Sequence, residues 1–153
     1  MSCIRDVLNE LQAWQWVGIV IARFAIGLAF FLSGRGKLFV PGRREQMHET
    51  LLAAHIPFPE FNTIFVSTVE LVCGLLVVIG ALTPLACLML ICVMVVAIAT
   101  IPVRNIKASG PLDWLSEFLY LPEVLYLVIL IWLFLSGPSW LSVDQLILSK
   151  ANF

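Results

Sequence analysis

The chain has 153 residues and a net charge of −1; 61% of its residues are apolar, 12% are charged, and its mean hydropathy is +1.01. Soluble domains carry about 25% charged residues, so this composition excludes an ordinary soluble domain, and the net charge gives no general attraction to nucleic acid. We therefore expect one integral membrane domain over residues 1–153, with the lipid bilayer as its solvent and no nucleic-acid partner.

Four apolar segments are each close to the ~20 residues that a membrane-spanning helix requires. In chain order they are residues 16–34, 64–82, 85–101 and 118–135. Each is expected to be helical, because a helix satisfies its own backbone polar groups within hydrocarbon. The predicted fold class is therefore all-α, an integral membrane bundle of four transmembrane helices.

Proline and glycine mark the ends of these helices. Pro57 and Pro59 indicate the entry to the second helix. Thr83 followed by Pro84 predicts a threonine cap and a proline in the first turn of the third helix, which makes the second and third helices an antiparallel pair. Pro102 and the Gly137–Pro138 pair predict the ends of the third and fourth helices.

The two long loops carry amphipathic segments. Residues 43–56 predict a short amphipathic helix that lies in the headgroup plane, and residues 112–117 predict a second such segment. Together they are expected to form a lid or platform on one membrane face.

Lysine and arginine are concentrated in the same two loops. Six lie there against two on the opposite side, and the six are Arg35, Lys37, Arg43, Arg44, Arg104 and Lys107. Because cytoplasmic loops carry an excess of these residues, we expect both long loops in the cytoplasm and both termini outside. The expected location is a bacterial cytoplasmic membrane, which the chain crosses several times.

Three ionisable residues interrupt the apolar segments: Arg23, Glu70 and Glu123. Charges at this depth are costly and usually face the bundle interior and pair with one another. Counting helical rise from the basic loops places them ~16, ~13 and ~13 Å deep, so one polar layer is expected. Tyr126 shares the helix face of Glu123.

Two interpretations of this layer stay open. In the first, Arg23 and Glu70 form a structural clamp that sets the register of two helices. In the second, the layer is a site, and two carboxylates beside one arginine leave one carboxyl held protonated.

The cysteines show no pattern typical of a metal or haem site. Four are present, without a C-x-x-C pair, and three of them lie in apolar segments where a free cysteine behaves as a small hydrophobic residue. No cluster of metal-ligating residues is visible. We expect no metal and no covalent cofactor.

Three groups of motifs resemble the DoxX family of small four-helix membrane proteins. The first group combines an arginine, glycines and a lysine, the second a Pro-Phe-Pro entry and a glutamate with glycines, and the third a serine and aspartate near the end of the chain. They are Arg23-Phe24-x-x-Gly27 with Ser33-Gly34-x-x-Lys37-Leu38, Ile56-Pro57-Phe58-Pro59 with Glu70-Leu71-x-x-Gly74-x-x-x-x-x-Gly80-x-x-Thr83, and Gly137-Pro138-Ser139-Trp140-Leu141-Ser142-Val143-Asp144.

The resemblance implies a four-helix bundle. It also implies a link to quinone-coupled oxidation of sulfur compounds or to membrane complexes that defend against oxidative stress. Arg23, Lys37, Glu70 and Glu123 match the polar positions of the family.

Three functions are open at this point. The first is a redox membrane subunit that binds a quinone: Arg23, Lys37 or Tyr126 hydrogen-bonds a quinone oxygen, Glu70 or Glu123 supplies protons, and a soluble or membrane redox partner supplies electrons. The second is a non-catalytic adaptor whose basic loops recruit a partner. The third is a binder of lipid or another apolar ligand, with proton-coupled transport ranked last. Catalysis and homo-oligomerisation are left open.

Overall fold

The computed structural model describes residues 13–100, 106, 110–137 and 142–151. Within these ranges the chain forms seven helices and no strand. They are α1 (Gln15–Phe39), α2 (Pro41–Ala53), α3 (Pro59–Ile79), α4 (Thr83–Thr100), α5 (Pro111–Leu119), α6 (Pro122–Ser136) and α7 (Val143–Ala151). The predicted end of the third helix at Pro102 lies outside the described residues, as do Arg104 and Lys107.

Three helices, α1, α3 and α4, are each long and apolar enough to cross a membrane, and α5 with α6 forms a fourth candidate span bent by 66°. The outward faces of these helices are apolar; Ile21 is 63% exposed and Val96 is 59% exposed. Large apolar side chains at this exposure require hydrocarbon around them. The prediction of an integral membrane helical bundle is confirmed.

The helix ends follow the chain's prolines and glycines. Proline occupies the first position of α2, α3, α5 and α6, where its missing N–H costs no helical hydrogen bond. Gly80 ends α3 in the left-handed conformation with φ of 72°. Since α4 begins at Thr83, residues 80–82 form a tight turn between α3 and α4.

The fourth predicted segment, residues 118–135, differs from the structure. Its helix α6 begins at Pro122, and residues 118 and 119 belong to α5 instead. Pro122 cannot donate a hydrogen bond to the preceding turn, and the residue before a proline disfavours the helical conformation. The apolar run therefore bends by 66° rather than continuing as one straight helix.

Helices α1 and α3 pack against each other in antiparallel directions more extensively than any other pair. Gly34 contacts the Ser67–Leu71 turn of α3, and Gly74 contacts Phe31 of α1. A Cβ at Gly74 would lie 2.5 Å from the backbone nitrogen of Phe31. Small residues at these positions let the two backbones approach closely.

A second pair, α4 and α6, packs alongside the first, and contacts of α3 with α4 and of α1 with α6 close the bundle. The apolar core lies between the four helices. Its fully buried members include Val77, Cys87, Leu90 and Leu130.

The two connections that carry α2 and α5 lie at one end of the bundle, which we call the loop end. The α3–α4 turn lies at the opposite end, which we call the turn end. The predicted helix at residues 43–56 is observed as α2, which packs on α1 and α3. The predicted segment at residues 112–117 is observed within α5, whose described residues are all exposed except the partly buried Phe118.

Candidate functional site

Glu70 is a buried charge with well-defined polar partners. It lies near the middle of α3 and its side chain is 3% exposed. Lys37 Nζ donates to both carboxylate oxygens, at 2.7 Å to Oε1 and 2.8 Å to Oε2. Ser33 Oγ donates to Oε2 at 3.0 Å. The carboxylate is thus held by one cation and one hydroxyl.

The local structure of α1 explains how these partners reach Glu70. Ser33 and Lys37 are four residues apart and therefore lie on one helix face. Helical side chains point back toward the N-terminus of their helix, so the long Lys37 stem extends from the last turn of α1 toward the level of Ser33. The close approach at Gly34 brings that level of α1 against α3.

A cavity of about 210 Å³ adjoins this ion pair. It is bounded by side chains from α1, α3, α4 and α6, so it lies inside the four-helix bundle. Its apolar wall includes Phe30, whose ring meets the ring of Tyr126 edge-on with centroids 5.8 Å apart. The lining residues are Ala29, Phe30, Ser33, Lys37, Glu70, Met94, Glu123 and Tyr126.

Glu123 supplies a second carboxylate to the cavity from the first turn of α6. A carboxylate is favourable there because the helix N-terminus carries partial positive charge. Among the described residues, Glu123 has no hydrogen bond or ion pair. With Lys37 already paired to Glu70, Glu123 is the excess negative charge of the cavity.

Four of the five predicted candidates therefore line one cavity: Lys37, Glu70, Glu123 and Tyr126. The fifth, Arg23, does not. It is buried, with 2% exposure, but it lies 14 residues before Lys37 on the same helix, a separation of about 21 Å along the axis. The predicted single layer and the predicted Arg23–Glu70 pair are wrong.

The error has a physical cause. The predicted first segment ends at residue 34, but α1 continues to Phe39, so Arg23 lies deeper from the loop end than Glu70 does. The cation that reaches Glu70 is Lys37, a residue whose place in the sequence looks like that of a headgroup-binding loop lysine.

Arg23 instead lies at the turn end, beside Gly80 and Ser142. A Cβ at Gly80 would lie 2.6 Å from Arg23 Nη1 and 2.7 Å from Ser142 Cβ. Glycine at position 80 therefore serves two needs, the left-handed φ that ends α3 and the space that Arg23 occupies.

Asp144 completes the turn end and was not predicted as a site residue. Its carboxylate accepts hydrogen bonds from the N–H groups of Leu82 at 2.7 Å and Thr83 at 2.8 Å, and its own N–H donates to Gly80 O at 3.0 Å. The cap of α4 thus comes from Asp144, 61 residues away, where the sequence predicted a cap by Thr83. In the sequence, Asp144 is marked only by the Ser-x-Asp pattern, which does not indicate the groups that the carboxylate contacts.

The charge state of Asp144 follows from these contacts. Partial burial raises the pKa of its carboxyl, but the hydrogen bonds from Thr83 and Leu82 and the positive charge of Arg23 outweigh that effect, and the net pKa is lowered. Asp144 is therefore held as a carboxylate in the folded protein.

The cysteines in the described ranges play no visible part in the cavity. Cys73 and Cys87 are free and buried in the apolar core, and Cys92 is free and exposed. No group of three or more histidine, cysteine, aspartate or glutamate side chains suited to a metal ion occurs among the described residues.

Comparisons with known proteins found one family model and one relative. The family model described as DoxX matches residues 18–102. An uncharacterized membrane protein of Mycobacterium tuberculosis is 30% identical over 143 residues, covering 88% of this chain and 83% of that protein. No solved structure matches the chain.

Proposed function

Because the chain belongs to the DoxX family, we propose that it is a redox membrane subunit whose bundle cavity binds the head group of a quinone. One observation carries the proposal. Lys37, Glu70, Glu123 and Tyr126, from three different helices, converge on a single small cavity inside an apolar bundle. Binding sites for small molecules are typically apolar clefts with a few convergent polar groups.

The size of the cavity favours one ring over a larger ligand. Pockets for drug-sized molecules span about 300–1,000 Å³, whereas this cavity encloses about 210 Å³. The Phe30 and Tyr126 rings and the Met94 side chain provide an apolar wall for a planar ring. Lys37 and Tyr126 carry donors suited to a quinone oxygen.

The two carboxyl groups suit the proton chemistry of a quinone. Reduction of a quinone to a quinol consumes two electrons and two protons, one proton for each oxygen. In this proposal Glu70 and Glu123, which both line the cavity, exchange protons with the bound ring. The electrons come from a redox partner or a small reductant.

The orientation of the chain is part of the same proposal. The loop end carries Arg35, Lys37, Arg43 and Arg44 in the described ranges, and this bias supports a cytoplasmic loop end in a bacterial cytoplasmic membrane. A redox partner would then dock at the loop end, where the cavity lies.

A second function has its own support. The bidentate Lys37–Glu70 pair is a well-formed ion pair, as expected of a clamp in an adaptor protein or a lipid binder. If the pair is only a clamp, Glu123 and Tyr126 have no role in ligand binding. These two residues therefore separate the two functions.

The test uses protein in lipid nanodiscs prepared from membranes that contain native quinones. Wild type, Glu123→Gln and Tyr126→Phe are extracted with organic solvent, and retained molecules are identified by mass spectrometry. Glu60→Gln, at an exposed glutamate on α3, is the matched control.

We expect a quinone enriched over empty nanodiscs in wild type and in the control, and reduced in both cavity variants. Equal quinone retention in all four proteins contradicts the assigned cavity. Absence of quinone from folded wild type contradicts the proposal that the cavity binds a quinone, and it favours the adaptor function.

A further inference from the structure

A second polar pocket opens at the loop end beside the cavity. It encloses about 470 Å³ and is formed between α1 and α2. Its lining residues are Ser33, Lys37, Arg43, Gln46, Met47 and Thr50. We call it the outer pocket and the 210 Å³ cavity the inner cavity.

The two spaces share a wall. Ser33 and Lys37 line both the outer pocket and the inner cavity. The exposure of the ion pair changes across this wall, because the Lys37 side chain is 24% exposed while that of Glu70 is 3% exposed. Lys37 therefore stands between Glu70 and the outer pocket.

The outer wall belongs to α2, which packs on α1 and α3; the buried residue of α2 is Leu51, 5% exposed. Arg43 and Gln46 on the same helix are exposed. Arg43 lies against α1 where the chain has Gly36; a Cβ there would lie 3.0 Å from Arg43 Nη1. The pocket is thus open toward the loop-end surface and closed inward by Lys37.

We propose that the outer pocket is an aqueous entrance through which water and protons reach Glu70, with Lys37 as its gate. The use of those protons rests on the proposed quinone function, whereas the entrance itself is a property of the bundle.

The chemistry of the lining supports this role. Five of the six lining side chains, all but Met47, carry hydrogen-bond donors, and none is a carboxylate. Water held by Gln46 and Thr50 can connect to the Ser33 hydroxyl, which lies 3.0 Å from Glu70 Oε2. The hydroxyl both donates and accepts, so it can pass a proton from water to the carboxylate.

The charges on the walls make the entrance selective. Lys37 and Arg43 repel cations other than a proton that moves along hydrogen-bonded water, as a pore-lining arginine does in water channels. Small anionic reagents are therefore expected to enter more readily than cationic reagents of the same size.

The test measures thiol modification in nanodiscs by two water-soluble methanethiosulfonates, one with a sulfonate and one with a trimethylammonium group. The four natural cysteines are first replaced by alanine. Single cysteines are then placed at Ser33 in the shared wall, at Thr50 on the rim and at the lipid-facing Leu32. Ala29→Cys, which lines the inner cavity without a hydrogen bond to Glu70, is a second probe should Ser33→Cys fail to fold.

We expect Ser33→Cys to react within about tenfold of Thr50→Cys, and Leu32→Cys at least about tenfold more slowly than Ser33→Cys, because thiols in apolar surroundings rarely form the reactive thiolate. The sulfonate reagent should react faster than the trimethylammonium reagent at position 33. Met47→Trp, which fills the outer pocket, should slow the reaction at position 33. Met89→Trp on the exposed face of α4 should leave it unchanged.

The proposed entrance would be overturned if Ser33→Cys and Ala29→Cys both reacted no faster than Leu32→Cys. A reaction at position 33 that Met47→Trp does not slow would also overturn it, since water would then arrive by another route. Neither result depends on quinone retention, so failure of the entrance and failure of the quinone site are distinguishable.

Discussion

At the scale of single residues, Lys37 is the cationic partner of the buried Glu70 carboxylate. A buried ion pair contributes little net stability compared with apolar residues, but removing one partner leaves the other charge uncompensated. Together with Ser33, Lys37 also lines both the inner cavity and the outer pocket. Its loss is therefore expected to affect both stability and access.

We predict that Lys37→Met lowers the free energy of unfolding by about 3 kcal/mol, because Glu70 is left as a buried, unpaired carboxylate. The double variant Lys37→Met/Glu70→Met should recover most of that loss. The measurement is unfolding in detergent micelles followed by circular dichroism, with the exposed Arg35→Met as control. A double variant no more stable than Lys37→Met would show that the loss has another cause.

At the turn end, Asp144 makes the stability of the fold depend on pH. Its folded-state pKa is lowered relative to the ordinary carboxyl value. A lowered folded-state pKa contributes stability that is present above the unfolded-state pKa of about 3.9 and is lost as the pH falls through the folded value.

We therefore predict that acidification from about pH 6 to about pH 3 lowers the thermal midpoint of wild type more than that of Asp144→Asn. At neutral pH the variant should be the less stable of the two, because the amide offers one acceptor oxygen to two N–H groups. The measurement is thermal unfolding in a pH series, with the exposed Asp113→Asn as control. Parallel pH profiles for wild type and Asp144→Asn would contradict the assigned role.

At the scale of elements, the α1–α3 pair positions the site. Gly34 and Gly74 bring the backbones together near the level at which Ser33 meets Glu70. Gly27 and Gly74 contact each other within one chain.

We predict that Gly74→Ala destabilises the bundle by about 1–3 kcal/mol, the usual cost of overpacking. The reason is that its Cβ would lie 2.5 Å from the backbone of Phe31, which cannot move without shifting α1. Gly18→Ala on α1 is the control, because a Cβ at Gly18 meets nothing within 4 Å. The measurement is the unfolding midpoint of each variant, and equal midpoints would contradict close α1–α3 packing.

The helices themselves were largely predictable from the sequence. Their apolar length, their first-position prolines and the turn after Gly80 are local features, and three of the four predicted spans are observed with ends shifted by at most five residues. The fourth predicted span starts at residue 118, but the observed helix starts at Pro122, where the apolar composition continues and the backbone bends. Composition reports hydrophobicity, whereas the bend depends on a missing N–H at one residue.

At the scale of the whole molecule, five buried or partly buried charges divide between the two ends of the bundle. Lys37, Glu70 and Glu123 surround a cavity toward the loop end, while Arg23 and Asp144 lie at the turn end with Gly80. The turn-end group joins α1, the α3–α4 turn and α7. These contacts tie three separate parts of the chain together at that end.

The sequence by itself determined the solvent of this protein, its helical class and most of its helices, because hydrocarbon imposes helix on any spanning segment of sufficient apolar length. It also named four of the residues that line the inner cavity. Only the tertiary structure decided which charges meet. The partner of Glu70 depends on where α1 ends and how far a lysine side chain reaches, and the cap of α4 comes from a residue 61 positions away. Such pairings are set by the packing of helices against one another, which no local pattern in the chain records.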